Sequence, residues 1–211
     1  MDFEIIVASA HYKHYAETIS HMIRDASEKR GTGIANRTPE YIQLKMESEH
    51  AILALHKGEV VGFCYIETWS HHKYVANSGL IVAEQFRNHN LAAKIKKKAF
   101  DLSKSLYPDA KLFGITTSLP VMKINSALGY KPVTFSELTD DEAFWKGCQG
   151  CKNFDILTRN DRKMCLCTGM LYEEKVAAIL PVLKKKRWEQ FVIFLQERAK
   201  RIKKIKLENH V

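Results

Sequence analysis

Between Val82 and Leu106 an apolar strand enters the turn Gln85-Phe86-Arg87-Asn88-His89-Asn90-Leu91-Ala92 and passes directly into an amphipathic helix. This junction constrains the chain strongly. The first turn of a helix has backbone N–H groups with no carbonyl ahead of them, and it carries the positive end of the helix dipole. A strand that delivers small or left-handed-tolerant residues to that point is an anion-binding design, suited to a phosphate. Within the helix, Leu91, Ile95, Ala99, Leu102 and Leu106 recur at spacings of three and four, so one face packs. Lys94, Lys96, Lys97, Lys98 and Lys104 are expected mostly on the solvated side.

Flanking segments supply a sheet for that helix to cover. Residues 3–8 read as a strand, and residues 14–29 and 39–46 as two helices separated by the loop Arg30-Gly31-Thr32-Gly33-Ile34-Ala35-Asn36-Arg37. Residues 51–56 and 59–69, rich in β-branched and aromatic side chains, flank Lys57-Gly58 as a hairpin, and residues 74–82 form the strand that feeds the turn. Pro108-Asp109 ends the helix, and residues 111–117 read as a further strand.

Arg87-x-x-Asn90-x-Ala92 resembles the pyrophosphate loop of the GNAT acetyltransferases, whose pattern is Gln/Arg-x-x-Gly-x-Gly/Ala. Asn90 stands where glycine is usual, and asparagine is among the residues that best accept a left-handed backbone. Ser118 to Tyr130, ending in Leu128-Gly129-Tyr130 ahead of Lys131-Pro132-Val133, resembles the second GNAT signature, a short helix closed by Leu-Gly-Phe/Tyr before the sixth strand. Gly129 suits the helix C-cap. The resemblance spans roughly residues 3–172. It implies an α/β fold with a central mixed, mostly antiparallel twisted sheet flanked by helices, in a domain of residues 1–172 with an insertion at 136–162.

The same resemblance implies acyl transfer, most often of acetyl, from acyl-CoA to a primary amine. The implied coenzyme site runs over Leu80, Ile81 and Val82, the turn Arg87, Asn88, His89, Asn90, Leu91 and Ala92, and Ser118 and Asn125. A backbone N–H around Leu80 is the implied donor to the oxyanion. The family's frequent acid is a tyrosine four residues before the glycine of Leu-Gly-Phe, and Asn125 occupies that position here. An amide is no proton donor of that kind, although it can hydrogen-bond the departing sulfur. Tyr74 and Asn77 rank as the first relay candidates, ahead of Glu67, His71, His72 and Ser78. Arg30 and Arg37 border the implied acceptor pocket and could meet a substrate carboxylate; solvated loop arginines are the plainer alternative.

Cys148-x-x-Cys151 and Cys165-x-Cys167 could close a four-thiolate structural zinc site, or serve as small buried hydrophobes. Thr139-Asp140-Asp141-Glu142 reads as a capping box that structures the insertion, and residues 163–172 as the last strand. Five cysteines without a secretory signal argue against a disulfide framework and for a cytoplasmic protein. From residue 182 onward ten Lys and Arg face three Glu, which is +7 of the net +9. The apolar residues there keep helical spacing, so residues 173–211 are expected to form a basic extension built on one long amphipathic helix, docking on the domain or on a second copy in a homodimer. Charged helix faces are usually solvated, which disfavours nucleic acid or a membrane as partner.

The expected function is therefore N-acylation of a small-molecule amine such as an amino acid, glutamate being one candidate. Protein or peptide N-acetylation is the first alternative. A non-catalytic GNAT-fold sensor or nucleic-acid-binding module is the second.

Overall fold

Seven strands pair into one sheet in the computed structural model, which describes residues 1–31, 34–172, 188–193 and 196. In chain order the strands are β1 (Glu4–Ala8), β2 (Ala51–His56), β3 (Glu59–Trp69), β4 (Tyr74–Val82), β5 (Lys111–Thr116), β6 (Lys131–Val133) and β7 (Thr168–Tyr172). Their spatial order is β1-β2-β3-β4-β5-β7-β6. Every pairing is antiparallel except β4 with β5, which run parallel. The chain divides into two compact units, Met1–Tyr172 and Glu173–Val211, and the sheet belongs to the first.

Helices cover both faces. On one side α1 (Ala16–Arg30) and α2 (Pro39–Glu47) lay Ile19, Ile23, Ile42 and Met46 against Leu53, Phe63 and Tyr65. On the other, α3 (Leu91–Leu106) sets Leu91, Ile95 and Ala99 against Ile52, Ala54, Val61 and Cys64. Each fully buried Ile, Leu or Phe contributes about 1.5–3 kcal/mol. α4 (Leu119–Ala127) is stopped by Gly129, whose φ of +96° carries the turn while Tyr130 N–H returns to Asn125 O at 3.1 Å. None of the described helices is long and apolar enough to cross a membrane.

Local hydrogen bonds moved several boundaries. The first helical region opens as a 3-10 turn, Ala10–Tyr15, because Ser9 caps it through His11 N–H, and α1 begins only at Ala16. The capping box is Thr134 with Glu137 instead of Thr139 with Glu142. Thr139 is buried, its hydroxyl accepts Asp141 N–H at 3.1 Å, and Asp141 caps α5 (Glu142–Lys146) through Ala143 N–H. A further helix, α6 (Phe154–Arg159), occupies the connection, and β7 starts at Thr168, so Cys165 and Cys167 precede the strand instead of sharing one of its faces. Lys96 departs from the expected solvated face and is 2% exposed. In the C-terminal extension, Trp188 to Ile193 are helical; the rest of the expected long helix, and with it the homodimer contact, lies outside the described residues.

Gly62 lets α3 approach β3. A Cβ there would stand 2.5 Å from Ile95 Cδ1, a collision with the end of a flexible side chain. Gly62→Ala should therefore lower stability by about 1–3 kcal/mol in urea unfolding, and Ile95→Val in the same chain should recover much of the loss by removing that methyl.

Candidate active site

β4 and β5 pair over three positions, Tyr74 with Lys111 through Ala76 with Phe113. Beyond Ala76 the two strands part. On its other edge β4 carries a bulge, because Phe63 faces Ile81 while Tyr65 faces Ser78, which places one extra residue on β4 opposite Cys64. A bulge leaves that residue outside the ladder and bends the strand. Gly79 sits in it at φ +65°, where a Cβ would meet the Tyr65 ring at 2.5 Å. Both diverging edges, Ser78–Ile81 and Gly114–Thr116, line a cavity of about 610 Å³.

The cavity's other wall carries charge. Arg37 donates through Nε to Tyr65 Oη at 2.9 Å and through Nη1 to Asn36 O at 2.9 Å, and its guanidinium lies over the Tyr41 and Tyr65 rings. Ser20 Oγ fixes its backbone carbonyl at 2.7 Å. Burial works against the Arg37 charge, but Tyr65, Tyr41 and Glu67 more than offset it, and the pKa is raised. Tyr41 Oη donates to Glu67 Oε2 at 2.6 Å, and Lys45 Nζ meets Glu67 Oε1 at 3.2 Å. Burial, reinforced by Tyr65 and Glu67, raises the Tyr41 pKa, so the phenol stays a neutral donor. A cation and a carboxylate thus face one cavity, each already oriented by aromatic neighbours.

At the far end of β4 the turn takes the anticipated form. Asn88 and Asn90 have φ of +67° and +58°, and Asn90 is the residue immediately before α3. Lys94, bonded to Asn90 O at 3.3 Å, is the first residue past the turn whose N–H finds a carbonyl, so the N–H groups of Leu91, Ala92 and Ala93 remain directed out of the helix end. Arg87 Nε returns to Val82 O at 3.4 Å and holds the turn to the strand.

The remaining site residues are placed less uniformly. Leu80 and Ile81 line the cavity, with Val82 following them on β4. Asn77 is part of the wall, but its amide is engaged toward α3, donating to Ser103 Oγ at 2.7 Å and accepting from Tyr130 Oη at 3.3 Å. Tyr74, at the start of β4, packs edge-on against Phe113. Asn125 is 2% exposed, with Nδ2 3.6 Å from Met170 Sδ, and is absent from the cavity lining; Ser118 precedes α4 and donates its N–H to Thr116 Oγ1. Arg37 is on the wall, while the Arg30 side chain lies outside the described atoms. Glu67, placed behind Tyr74 and Asn77 among the relay candidates, lines the cavity. Its strand alternation with Tyr65 was readable, but its pairing with Tyr41 and Lys45 needs α2 folded over β3.

Cys148, Cys151, Cys165 and Cys167 are all among the residues that line the cavity. Among the described residues, no group of three or more His, Cys, Asp or Glu side chains is arranged to hold a metal ion.

Residues 19–117 match the model of the acetyltransferase (GNAT) family. Over this stretch, just under half of its length, the chain is similar to that family. The fold agrees over a wider span. N-acetylglutamate synthase from Neisseria gonorrhoeae, solved with coenzyme A and N-acetyl-glutamate, superposes with a TM-score of 0.58 at 17% identity, covering 81% of this chain and 35% of that one. The chain thus spans about a third of the synthase's length. Rv2747 from Mycobacterium tuberculosis, in complex with CoA and NLQ, gives a TM-score of 0.58 at 14% identity, covering 80% of this chain and 97% of that one. Diaminobutyrate acetyltransferase EctA from Paenibacillus lautus, with L-2,4-diaminobutyric acid and coenzyme A, gives 0.52 at 12% identity over 66% and 87%. No curated protein matches in sequence.

Gly79 couples the bulge to the charged wall through Tyr65. Gly79→Ala should displace that ring and, with it, Arg37. Stability should fall by about 1–3 kcal/mol, and hydrogen exchange should quicken in β3 and β4 before it does in β1.

Proposed function

We propose that this protein is an acyl-CoA-dependent N-acyltransferase, most simply an acetyltransferase, that acts on the amine of an amino acid. One observation carries the reading: a left-handed Asn90 opens α3 at the end of a strand that has parted from its parallel neighbour. The outward N–H groups of the turn suit a pyrophosphate, and the parted strands suit the extended arm that follows it. The solved relatives with coenzyme A in this fold support the choice of cofactor, and those with N-acetyl-glutamate or diaminobutyric acid support an amino-acid acceptor.

In this reaction the acceptor nitrogen must lose a proton, attack the thioester carbonyl and expel the coenzyme thiolate, which then takes up a proton. Arg37 meets the acceptor's carboxylate with the guanidinium edge left free by Tyr65. Glu67 faces the ammonium and receives its proton directly or through water. The N–H around Leu80, released from the ladder by the bulge, stabilises the oxyanion. Asn125, packed behind the β5 wall, contributes only if its amide turns toward the sulfur. Glutamate is one acceptor that fits these charges, with a second carboxylate to satisfy.

A structural zinc ion on Cys148, Cys151, Cys165 and Cys167 belongs to the same reading. In its support, all four cysteines line the same cavity, and Asn153 N–H donates to Cys151 Sγ at 3.5 Å. Burial, followed by the neighbouring cysteines, pushes Cys148 up to about 11 and Cys167 up to about 12, so these sulfurs ionise near neutral pH only beside a cation. Zinc would draw the sulfurs into a tetrahedral set and tie the connection between β6 and β7 to the cavity rim. Elemental analysis of tag-free protein should find about one zinc per chain, and chelation should expose that connection to protease. A metal-free protein whose four thiols titrate in the folded state would return them to plain packing.

Calorimetry tests the cofactor assignment. Asn90→Pro, which removes a donor and forbids positive φ, should abolish coenzyme A binding in a folded protein, whereas Asn90→Gly should bind within about threefold of the parent. Kinetics test the acceptor. Arg37→Ala should raise KM roughly 10- to 100-fold for amino acids and leave simple amines little changed, since it removes a charge-assisted hydrogen bond that only the carboxylate uses.

A further inference from the structure

The mechanism above leaves one buried ion unused. Lys96, on α3, has its ammonium beneath β4, where it donates to Asn77 O at 3.1 Å and lies 5.5 Å from the centre of the Tyr130 ring. Among the described residues no carboxylate stands within ion-pair range of it. A lysine buried without a counter-ion is costly, and its hydrocarbon stem alone would pack as well as a methionine.

Its position explains what the charge is for. Asn77 is the first residue of β4 past the last pairing with β5, and it lies two residues before the bulge glycine. Once β4 leaves β5, polar groups on that stretch need other partners. Side chains from behind the sheet supply them. Lys96 takes the Asn77 carbonyl, Cys64 Sγ donates to Ser78 O at 3.3 Å, and the Asn77 amide is held between Ser103 and Tyr130. The ammonium therefore anchors the segment that leads into Gly79 and Leu80.

We propose that Lys96 is a positioning residue for acyl transfer, fixing the bulge of β4 so that the backbone N–H around Leu80 points at the developing oxyanion. The inference rests on the acyltransferase reading for its kinetic consequence but on geometry alone for its structural one. A rigid, preorientated donor is worth more than a mobile one because no reorganisation is needed as charge develops. The charged form also polarises the Asn77 carbonyl more strongly than a neutral amine does. Burial brings the Lys96 pKa down to about 8. The titratable groups facing it are Cys64 from β3, pushed up to about 11 by burial, and Tyr130 after α4, raised well above its ordinary range, so both stay neutral where Lys96 titrates.

Two measurements decide it. In Lys96→Met, hydrogen exchange of residues 77–81 should quicken roughly tenfold while residues 87–92 and coenzyme A affinity stay as in the parent. In kinetics, kcat should fall roughly 10- to 100-fold with KM for acyl-CoA within about threefold, the pattern of an interaction made in the transition state. The unaltered protein supplies a check free of any folding defect: its kcat should decline above about pH 8. Unchanged exchange at 77–81 in the variant, or a kcat limb near pH 8 that persists unaltered in Lys96→Met, overturns the proposal. Absence of turnover with every amine would count against the acyltransferase reading, and the exchange measurement would still decide whether Lys96 holds the bulge.

Discussion

The divergence of β4 from β5 is the constraint on which the rest of this structure depends. Parallel pairing for three positions holds the two halves of the sheet together, and its interruption creates the cavity between them. An interrupted ladder exposes backbone donors and acceptors that water or side chains must satisfy. Here the bulge at Gly79 and the polar groups of α3 take up that task on one side. On the other side the parted strands line the cavity.

Each layer of the molecule serves that opening. α3 docks through Leu91, Ile95 and Ala99, brought close by Gly62, and the same docking sets the start of the helix at the end of β4. On the opposite face the loop after α1 and the first turn of α2 carry Arg37 and Tyr41 to the cavity, where Tyr65 and Glu67 of β3 hold them. The aromatic cluster of Phe113, Phe144, Trp145 and Phe135 seats the short helix α5 beside the same opening. Charged groups in the cavity are therefore fixed by ring faces and hydrogen bonds before any ligand arrives. That is the arrangement in which Coulombic and hydrogen-bond terms count most.

Much of this was legible in the residue order. β2, β3, β4 and α3 fall at the boundaries that alternation and helical spacing indicate, because each buries a continuous apolar face whose period is local information. The left-handed Asn90 was legible for the same reason, since backbone tolerance is a property of the residue itself. Where side chains compete for the same backbone groups, local reading failed. Thr139 resembles a helix cap, but its hydroxyl accepts Asp141 N–H and its carbonyl accepts Trp145 Nε1, which left capping to Asp141.

Sequence alone thus determined β2, β3, β4, α3 and the left-handed turn before that helix, which depend on patterns a few residues long. Tertiary structure decided which polar side chains reach the cavity and which are committed elsewhere. Asn77 was a fair relay candidate by position, but strand alternation and the packing of α3 commit its amide to Ser103 and Tyr130. Glu67 gained its place only when α2 supplied Tyr41 and Lys45. Lys96 looked like one solvated lysine among several, and only the rotation of α3 against the sheet buried it beneath Asn77. Burial and hydrogen-bond partners come from segments distant in sequence, so the chemistry of these groups could not be read from their neighbours in the chain.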